Sequence, residues 1–138
     1  MRWLAVDFGE KRIGLAVSGE TADVVVPVGA IARKSDAGAA AAVAAAARER
    51  GISRIVVGHP VLASGAETLL ARRARNFARR LAETTGLPVL LHGEALTSRA
   101  ADEALVNASV PPARRAAARD AEAAAALLRD YLSARGGR

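Results

Sequence analysis

The stretch that decides the fold runs from Trp3 to Ser18 and reads WLAVDFGEKRIGLAVS. It holds two largely apolar runs, at residues 2–7 and 12–18, separated by a polar segment that contains Gly9. We predict two strands joined by a hairpin turn. Asp7 ends the first run, and a buried carboxylate without partners costs several kcal/mol. Asp7 is therefore expected to hold a metal ion or to cap its own turn.

The composition is that of a chain able to form one compact domain, residues 1–138. Of the 138 residues, 51% are hydrophobic, which suffices for a full core. The absence of Cys excludes disulfides, thiolate metal sites and Cys nucleophiles. The first residues are predicted to form a strand, so no cleavable signal is expected, and no stretch approaches the roughly 18 strongly apolar residues of a membrane span. We expect a cytoplasmic protein with no membrane contact.

The charge of the chain favours a polyanionic partner. The net charge is +6, and of the 20 cationic residues only Lys11 and Lys34 are lysine. Arginine binds phosphate in bidentate fashion, which suits RNA or DNA, although an excess of Arg and Ala can equally reflect a bias in genome composition. The few aromatic residues, 3% of the chain, cannot form a platform for base stacking. Recognition through backbone and shape is expected instead.

Apolar periodicity, caps and glycines predict the element order β-β-β-α-β-α-β-α-α, an α/β fold with a mixed sheet and helices on its faces. Pro27 indicates that the third strand is an edge strand or carries a bulge. The spacing of Ser64 and Glu67 predicts a capping box at the start of the second helix. The predicted strands are 2–7, 12–18, 24–32, 54–58 and 87–91, and the predicted helices are 36–50, 64–85, 97–107 and 111–134.

Two further carboxylates lie where they can join Asp7. Glu94 follows the predicted strand 87–91, and ligands gather at the carboxyl ends of strands in α/β sheets. If this strand is a parallel neighbour of the first, the two acids can meet. Asp120 lies four residues before Ala124 on the core-facing stripe of the last helix. The structural alternatives are an exposed loop position for Glu94 and, for Asp120, pairing with an arginine of its own helix.

Asp7, Glu94 and Asp120 come from separate segments and would together form an all-oxygen site. Such a site prefers Mg²⁺ or Mn²⁺. Two ions roughly 4 Å apart can activate a water and stabilise the leaving oxygen in phosphodiester hydrolysis. The two histidines, His59 and His92, are interpreted as surface residues, although His92 is close enough in sequence to Glu94 to touch the site.

Four motifs follow one another along nearly the whole chain, and the first is highly specific. They are DFGEKRIGLAVS at 7–18, GHP at 58–60 followed by Gly65, EALTS at 94–98, and RDAEAA at 119–124. Together they resemble the motifs of the YqgF/RuvX family of pre-16S rRNA nucleases, also called Holliday-junction-resolvase-like proteins.

The resemblance implies an RNase H-like fold and an acidic triad at Asp7, Glu94 and Asp120, the same residues that the local argument selects. It also implies endonucleolytic trimming of the 5′ end of pre-16S rRNA with Mg²⁺ or Mn²⁺. The third motif departs from the family, which has Asp-Glu-Arg before Thr-Ser where this chain has Gly93, Glu94 and Ala95. The loss of one acid and one cation can reduce activity or shift the substrate.

Contacts to nucleic acid are predicted for cations and hydroxyls near the three acids. Thr97 or Ser98 can equally be a helix cap, and the arginines of the last helix can equally be a solvated face. The predicted contacts are Lys11, Arg12, Thr97, Ser98, Arg99, Arg114, Arg115 and Arg119.

Three alternatives to an rRNA nuclease stay open at this point. The same acids could resolve four-way or other branched DNA, a reaction that needs a symmetric dimer, and the sequence does not choose between monomer and homodimer. The altered third motif is compatible with a catalytically weakened RNA-binding factor in ribosome assembly. An actin-like ATPase or sugar kinase, which also has Asp-x-Gly near its N-terminus, is disfavoured because 138 residues supply only one of the two domains it needs.

Overall fold

A computed structural model describes residues 1–21, 24–62, 64–94 and 112–136; the side chains of Glu94, of 112–114 and of 136 lie outside that description. The described parts contain five strands and three helices. They are β1 (Trp3–Phe8), β2 (Arg12–Ser18), β3 (Val25–Ala32), α1 (Asp36–Glu49), β4 (Arg54–Pro60), α2 (Leu69–Thr85), β5 (Val89–Glu94) and α3 (Pro112–Gly136). The predicted helix at 97–107 lies outside the described residues.

The five strands form one mixed sheet in the order β3-β2-β1-β4-β5. Strands β1, β2 and β3 pair antiparallel, because short turns join them, whereas β4 and β5 run parallel to β1 after helical connections. The predicted mixed sheet with helices on its faces is confirmed. Strand β5 runs parallel to β1, but the two are not neighbours, because β4 lies between them; the condition under which Glu94 and Asp7 would meet across adjacent strands is therefore met only in strand direction.

Alternation along β1 divides the core into two layers. Leu4, Val6 and Phe8 belong to the cluster that includes residues of α1 and α2. Trp3 and Ala5 belong to the cluster that includes residues of α3. The sheet therefore separates α1 and α2 on one face from α3 on the other. Burial of these strand residues, which are at most 3% exposed, fixes the register, since a slip of one residue would exchange the two faces.

Hydroxyl side chains cap the first two helices, whose starts were predicted at residues 36 and 64. Ser35 caps α1 by accepting a hydrogen bond from Gly38 N. Thr68 caps α2 by accepting one from Ala71 N. The predicted capping box at Ser64 and Glu67 is wrong: α2 begins at Leu69, and the Glu67 carboxylate bonds to other side chains, as described below.

Strand β3 lies at the edge of the sheet and also carries an irregularity. Leu15 pairs with Gly29 whereas Ala16 pairs with Pro27, so Val28 has no partner in the register. Both features predicted from Pro27 are present, because an edge strand with a bulge tolerates a residue that cannot donate to the ladder.

Among the described helices, α3 is the longest, and none of the described helices is long and apolar enough to cross a membrane.

Candidate active site at the carboxyl end of strand β1

Asp7 lies near the carboxyl end of β1, on the face of the sheet that α3 covers. Ala5 and Trp3, two and four residues earlier, belong to the cluster that includes residues of α3, and strand alternation places Asp7 on the same face. The residue is neither fully buried nor fully exposed. The carboxylate therefore stands at the boundary between the core and solvent.

The backbone of α3 comes very close to the sheet beside Asp7. Gly14 on β2 is the cross-strand partner of Asp7, and directly opposed residues point to the same face. A Cβ built on Gly14 would overlap the carbonyl oxygen of Asp120 and lie 2.5 Å from its carbonyl carbon. Only a glycine allows α3 to pass at this distance. The packing of Asp120 on Gly14 thus brings residues 7 and 120 together.

The Asp120 side chain accepts a charged hydrogen bond from β2. Arg12 Nε lies 2.6 Å from Asp120 Oδ2, and the two side chains are 35% and 20% exposed. Arg12 was predicted to contact nucleic acid, and a pairing of Asp120 with an arginine of its own helix stayed open. The observed ion pair instead joins residues 108 positions apart, which a local pattern cannot reveal.

Glu94 is the last residue of β5, in register with Pro60 of β4. Its backbone therefore belongs to a strand, not to a loop. Because β4 separates β5 from β1, the two strands lie roughly 10 Å apart. The acid is thus at the same end of the sheet as Asp7, two strand spacings away.

The turn beside Asp7 is held by Arg33, a residue that the sequence analysis did not select. Arg33 N donates to Lys11 O at 2.8 Å, and its Nε donates to Gly9 O at 3.2 Å. The guanidinium also lies 5.2 Å from the centre of the Phe8 ring. These contacts fix the hairpin that carries Asp7, and the sequence signal for them is only a cation just after β3.

His92 is packed against α3, which corrects its interpretation as a surface residue. Its Nε2 lies 2.7 Å from Asp130 Oδ2, and its ring stands edge-on to Tyr131 at 5.3 Å. Tyr131 in turn contacts Trp3. The side chain is 21% exposed because helix α3 covers it. His92 thereby ties β5 to α3 two residues before Glu94.

His59 is likewise partly buried, at the end of β4, and forms part of a second charged cluster. Glu67 Oε2 lies 2.9 Å from His59 Nε2, and both Glu67 oxygens accept hydrogen bonds from Arg75 at 3.0 Å. The bonds from Arg75, then that from His59, lower the pKa of Glu67 to about 2. His59 belongs to the face of Ile55 and Val57, which contacts α1 and α2. This cluster joins α2 to β4 on the face opposite Asp7.

The other predicted nucleic-acid contacts have mixed outcomes. Lys11 is exposed in the β1–β2 turn, and Arg115 and Arg119 are partly exposed on the first turns of α3. The side chain of Arg114 lies outside the described residues, as do Thr97, Ser98 and Arg99 altogether. Their predicted roles stay predictions.

The donor chemistry of the site suits a hard divalent cation. Asp7, Asp120 and Glu94 are residues with carboxylate oxygens; the backbones of the first two lie on neighbouring segments, and that of Glu94 ends β5 at the same end of the sheet. Mg²⁺ and Mn²⁺ prefer such oxygens over sulfur or nitrogen. Among the side chains that the structure describes, which do not include that of Glu94, no three His, Cys, Asp or Glu residues are grouped to hold a metal. The three acids together stay a prediction.

Comparison with known proteins decides the family. The model of the family described as "RuvX: Holliday junction resolvase" matches residues 1–134. The chain belongs to the RuvX family. Its curated relatives include proteins named "Putative pre-16S rRNA nuclease". That of Anaeromyxobacter dehalogenans is 40% identical over 135 residues, with 98% of each chain covered. That of Syntrophus aciditrophicus is 36% identical over 134 residues, covering 97% of this chain and 89% of the relative. The RuvX family is thus one of nucleases.

Solved structures support the RNase H-like fold expected of a RuvX protein. T. thermophilus RuvC in complex with a Holliday junction substrate matches with a TM-score of 0.58 and 19% identity, covering 99% of this chain and 97% of that one. A second T. thermophilus RuvC structure matches with the same TM-score. The match at this identity speaks for the fold, and the predicted fold is confirmed.

Proposed function

We propose that this RuvX protein is a divalent-metal-dependent endonuclease that cleaves structured RNA, with the 5′ end of pre-16S rRNA as its substrate. The observation that carries the proposal is the close packing of Asp120 on Gly14, the partner of Asp7. It supports a shared site for Asp7 and Asp120, which are 113 positions apart in the sequence. The names of the curated relatives support the substrate.

We assign Asp7, Glu94 and Asp120 as the residues that would hold Mg²⁺ or Mn²⁺. Bound ions of this kind activate water and stabilise the leaving oxygen of a phosphodiester. Arg12 would balance the charge of Asp120 through their 2.6 Å contact before a metal binds. The cations Lys11, Arg115 and Arg119, with Thr97, Ser98, Arg99 and Arg114, would contact the nucleic-acid backbone.

The proposal is tested by Asp7→Asn, which keeps the shape of the side chain and removes its charge. We expect the rate of cleavage of a pre-16S rRNA leader to fall at least about a hundredfold, and wild-type cleavage to stop in EDTA and return with Mn²⁺. Glu49→Gln is the matched control, since Glu49 is an exposed acid at the end of α1. Equal rates for Asp7→Asn and wild type would overturn the assignment.

A second candidate is resolution of branched DNA, favoured by the description of the family. The two functions separate in one comparison: cleavage of a four-way DNA junction and of the rRNA leader at equal enzyme concentration. Faster cleavage of the junction, by a homodimer in sedimentation analysis, would favour the resolvase. Faster cleavage of the leader supports the rRNA nuclease.

The third candidate, a catalytically weakened RNA-binding factor, rests on Gly93 and Ala95. It predicts RNA binding that weakens with salt and no cleavage with either metal. The double substitution Gly93→Asp and Ala95→Arg restores the family pattern. If the altered motif limits catalysis, the double variant cleaves faster than wild type. Unchanged activity would show that these two positions do not limit the reaction.

A further inference from the structure

Helix α2 carries most of the surplus positive charge of the chain. Between Leu69 and Thr85 it has five arginines and one glutamate, a net charge of +4 out of +6 for all 138 residues. A bias toward arginine across the whole chain does not account for this, because the charge is concentrated in one helix.

Four of the five arginines form one exposed face, which we call the α2 arginine face: Arg72, Arg73, Arg79 and Arg80. At about 100° per residue they lie within about 120° of the helix circumference, and they extend along roughly 12 Å of its axis. The opposite face of α2 is buried, with Phe77 at 1% and Leu81 at 0% exposure. The arginines therefore do not support the core.

The α2 arginine face has no acidic partners within the described residues. None of its four side chains forms a salt bridge there, whereas the fifth arginine, Arg75, binds Glu67 through two hydrogen bonds. Four arginines on one exposed face, without an acid to pair with among the described side chains, concentrate positive charge on the surface of α2. Such a concentration favours a partner of opposite charge.

The location of this face separates it from the acids of the active site. Phe77 and Leu81 of α2 pack in the cluster that holds Leu4 and Val6, while Asp7 lies on the face of β1 toward α3. A phosphate bound by the α2 arginine face is therefore not the phosphate held by the acids. The two regions can contact different parts of one long polyanion.

We propose that the α2 arginine face binds the phosphate backbone of a nucleic-acid duplex at a distance from the cleavage site. Guanidinium groups match phosphate geometry, and the face has no aromatic side chain for base stacking, so recognition of the backbone is favoured. That the duplex is RNA rests on the proposed function. A membrane is disfavoured because the apolar side of α2 is already buried in the core.

The test is binding of a short RNA duplex in EDTA by wild type and by a variant with Gln at all four arginine positions. Each lost phosphate contact lowers the slope of log K against log salt by about 0.9. If all four contacts are lost, we expect the slope between about 50 and 200 mM salt to fall by about 3.6, and the affinity at the lower salt to drop more than tenfold. Equal slopes and affinities for the two proteins would overturn the inference.

A matched pair of variants controls for net charge. Arg73→Gln/Arg80→Gln and Arg48→Gln/Arg50→Gln each remove two exposed arginines, but only the first pair lies on the α2 arginine face. We expect the first to weaken binding and the second to change it less than twofold. Equal weakening would contradict the proposal. Thermal melting shows whether the fourfold variant folds. If it does not, these two double variants test the inference in its place.

Two further comparisons distinguish a nucleic-acid partner from other polyanions, and binding by the α2 arginine face from cleavage at the active site. If wild type binds anionic lipid vesicles or polyglutamate as tightly as duplex RNA, the proposal of a nucleic-acid partner is overturned. Binding that depends on the arginine face, without any cleavage by wild type, would sustain this inference and reject the proposed function.

Discussion

The contact between Gly14 and Asp120 gives the sharpest prediction of the effect of one methyl group. In Gly14→Ala the new Cβ would lie 2.5 Å from the Asp120 carbonyl carbon and 3.2 Å from Ala121 N, and would overlap the carbonyl oxygen between them. Backbone atoms cannot rotate away as a side chain can, so α3 must move by about 1 Å or more. Overpacking of this kind costs about 3 kcal/mol. For a chain of this size the melting temperature should fall by about 10 °C.

The assay combines thermal melting with cleavage by the folded fraction. We expect Gly14→Ala to lose activity beyond its loss of folded protein, because movement of α3 displaces Asp120 from Asp7. Gly19→Ala is the matched control, since a Cβ there meets nothing within 4 Å. If Gly14→Ala melts within a degree or two of wild type and cleaves at the same rate, the close packing of α3 on β2 is refuted.

Two other substitutions test the charged contacts. Arg12→Gln removes a cation beside Asp120. Since a unit charge about 6 Å from a dication in water contributes about 1.4 kcal/mol, the variant should bind Mn²⁺ about tenfold more tightly in a titration. Lys11→Gln should change Mn²⁺ binding less, and weaker Mn²⁺ binding by Arg12→Gln would contradict the account. The lowered pKa of Glu67, about 2, means that its ion pair stabilises the fold above pH 4.5 and that this stability is lost as the pH falls from about 4.5 to 2. Urea unfolding should therefore show Glu67→Gln less stable than wild type at pH 7 and equal to it near pH 2, with no such pH dependence for the exposed Glu83→Gln; a difference that persists at pH 2 would oppose this assignment.

The fold could be predicted because local signals agree with the tertiary structure over most elements. The apolar runs around Asp7 form the predicted hairpin, and Pro27 occupies the edge strand with a bulge. The capping box failed for a physical reason. Glu67 has the spacing of a capping box, but its carboxylate accepts two hydrogen bonds from Arg75 instead of bonding to the backbone. The capping-box pattern considers residues three apart and does not include a side chain eight residues away.

Of the candidate site, only the acidic residues could be predicted from the sequence. Strand and helix positions select Asp7 and Asp120, but the contact of Arg12 with Asp120 joins residues 108 positions apart. The insertion of β4 between β1 and β5 was also missed, because single-sequence patterns give strand directions more readily than neighbours. Gly14 carried no visible signal in the sequence beyond being a glycine in a strand, which suggests close approach of another backbone.

The central claim is that three acids from distant segments share one divalent-ion site, and a crystal structure with Mn²⁺ tests it directly. We predict anomalous density in contact with carboxylate oxygens of Asp7, Glu94 and Asp120, and none at that position in Asp7→Asn. Density bound elsewhere, or an oxygen of one of the three acids more than about 10 Å from the others, too far for shared coordination, would contradict the account.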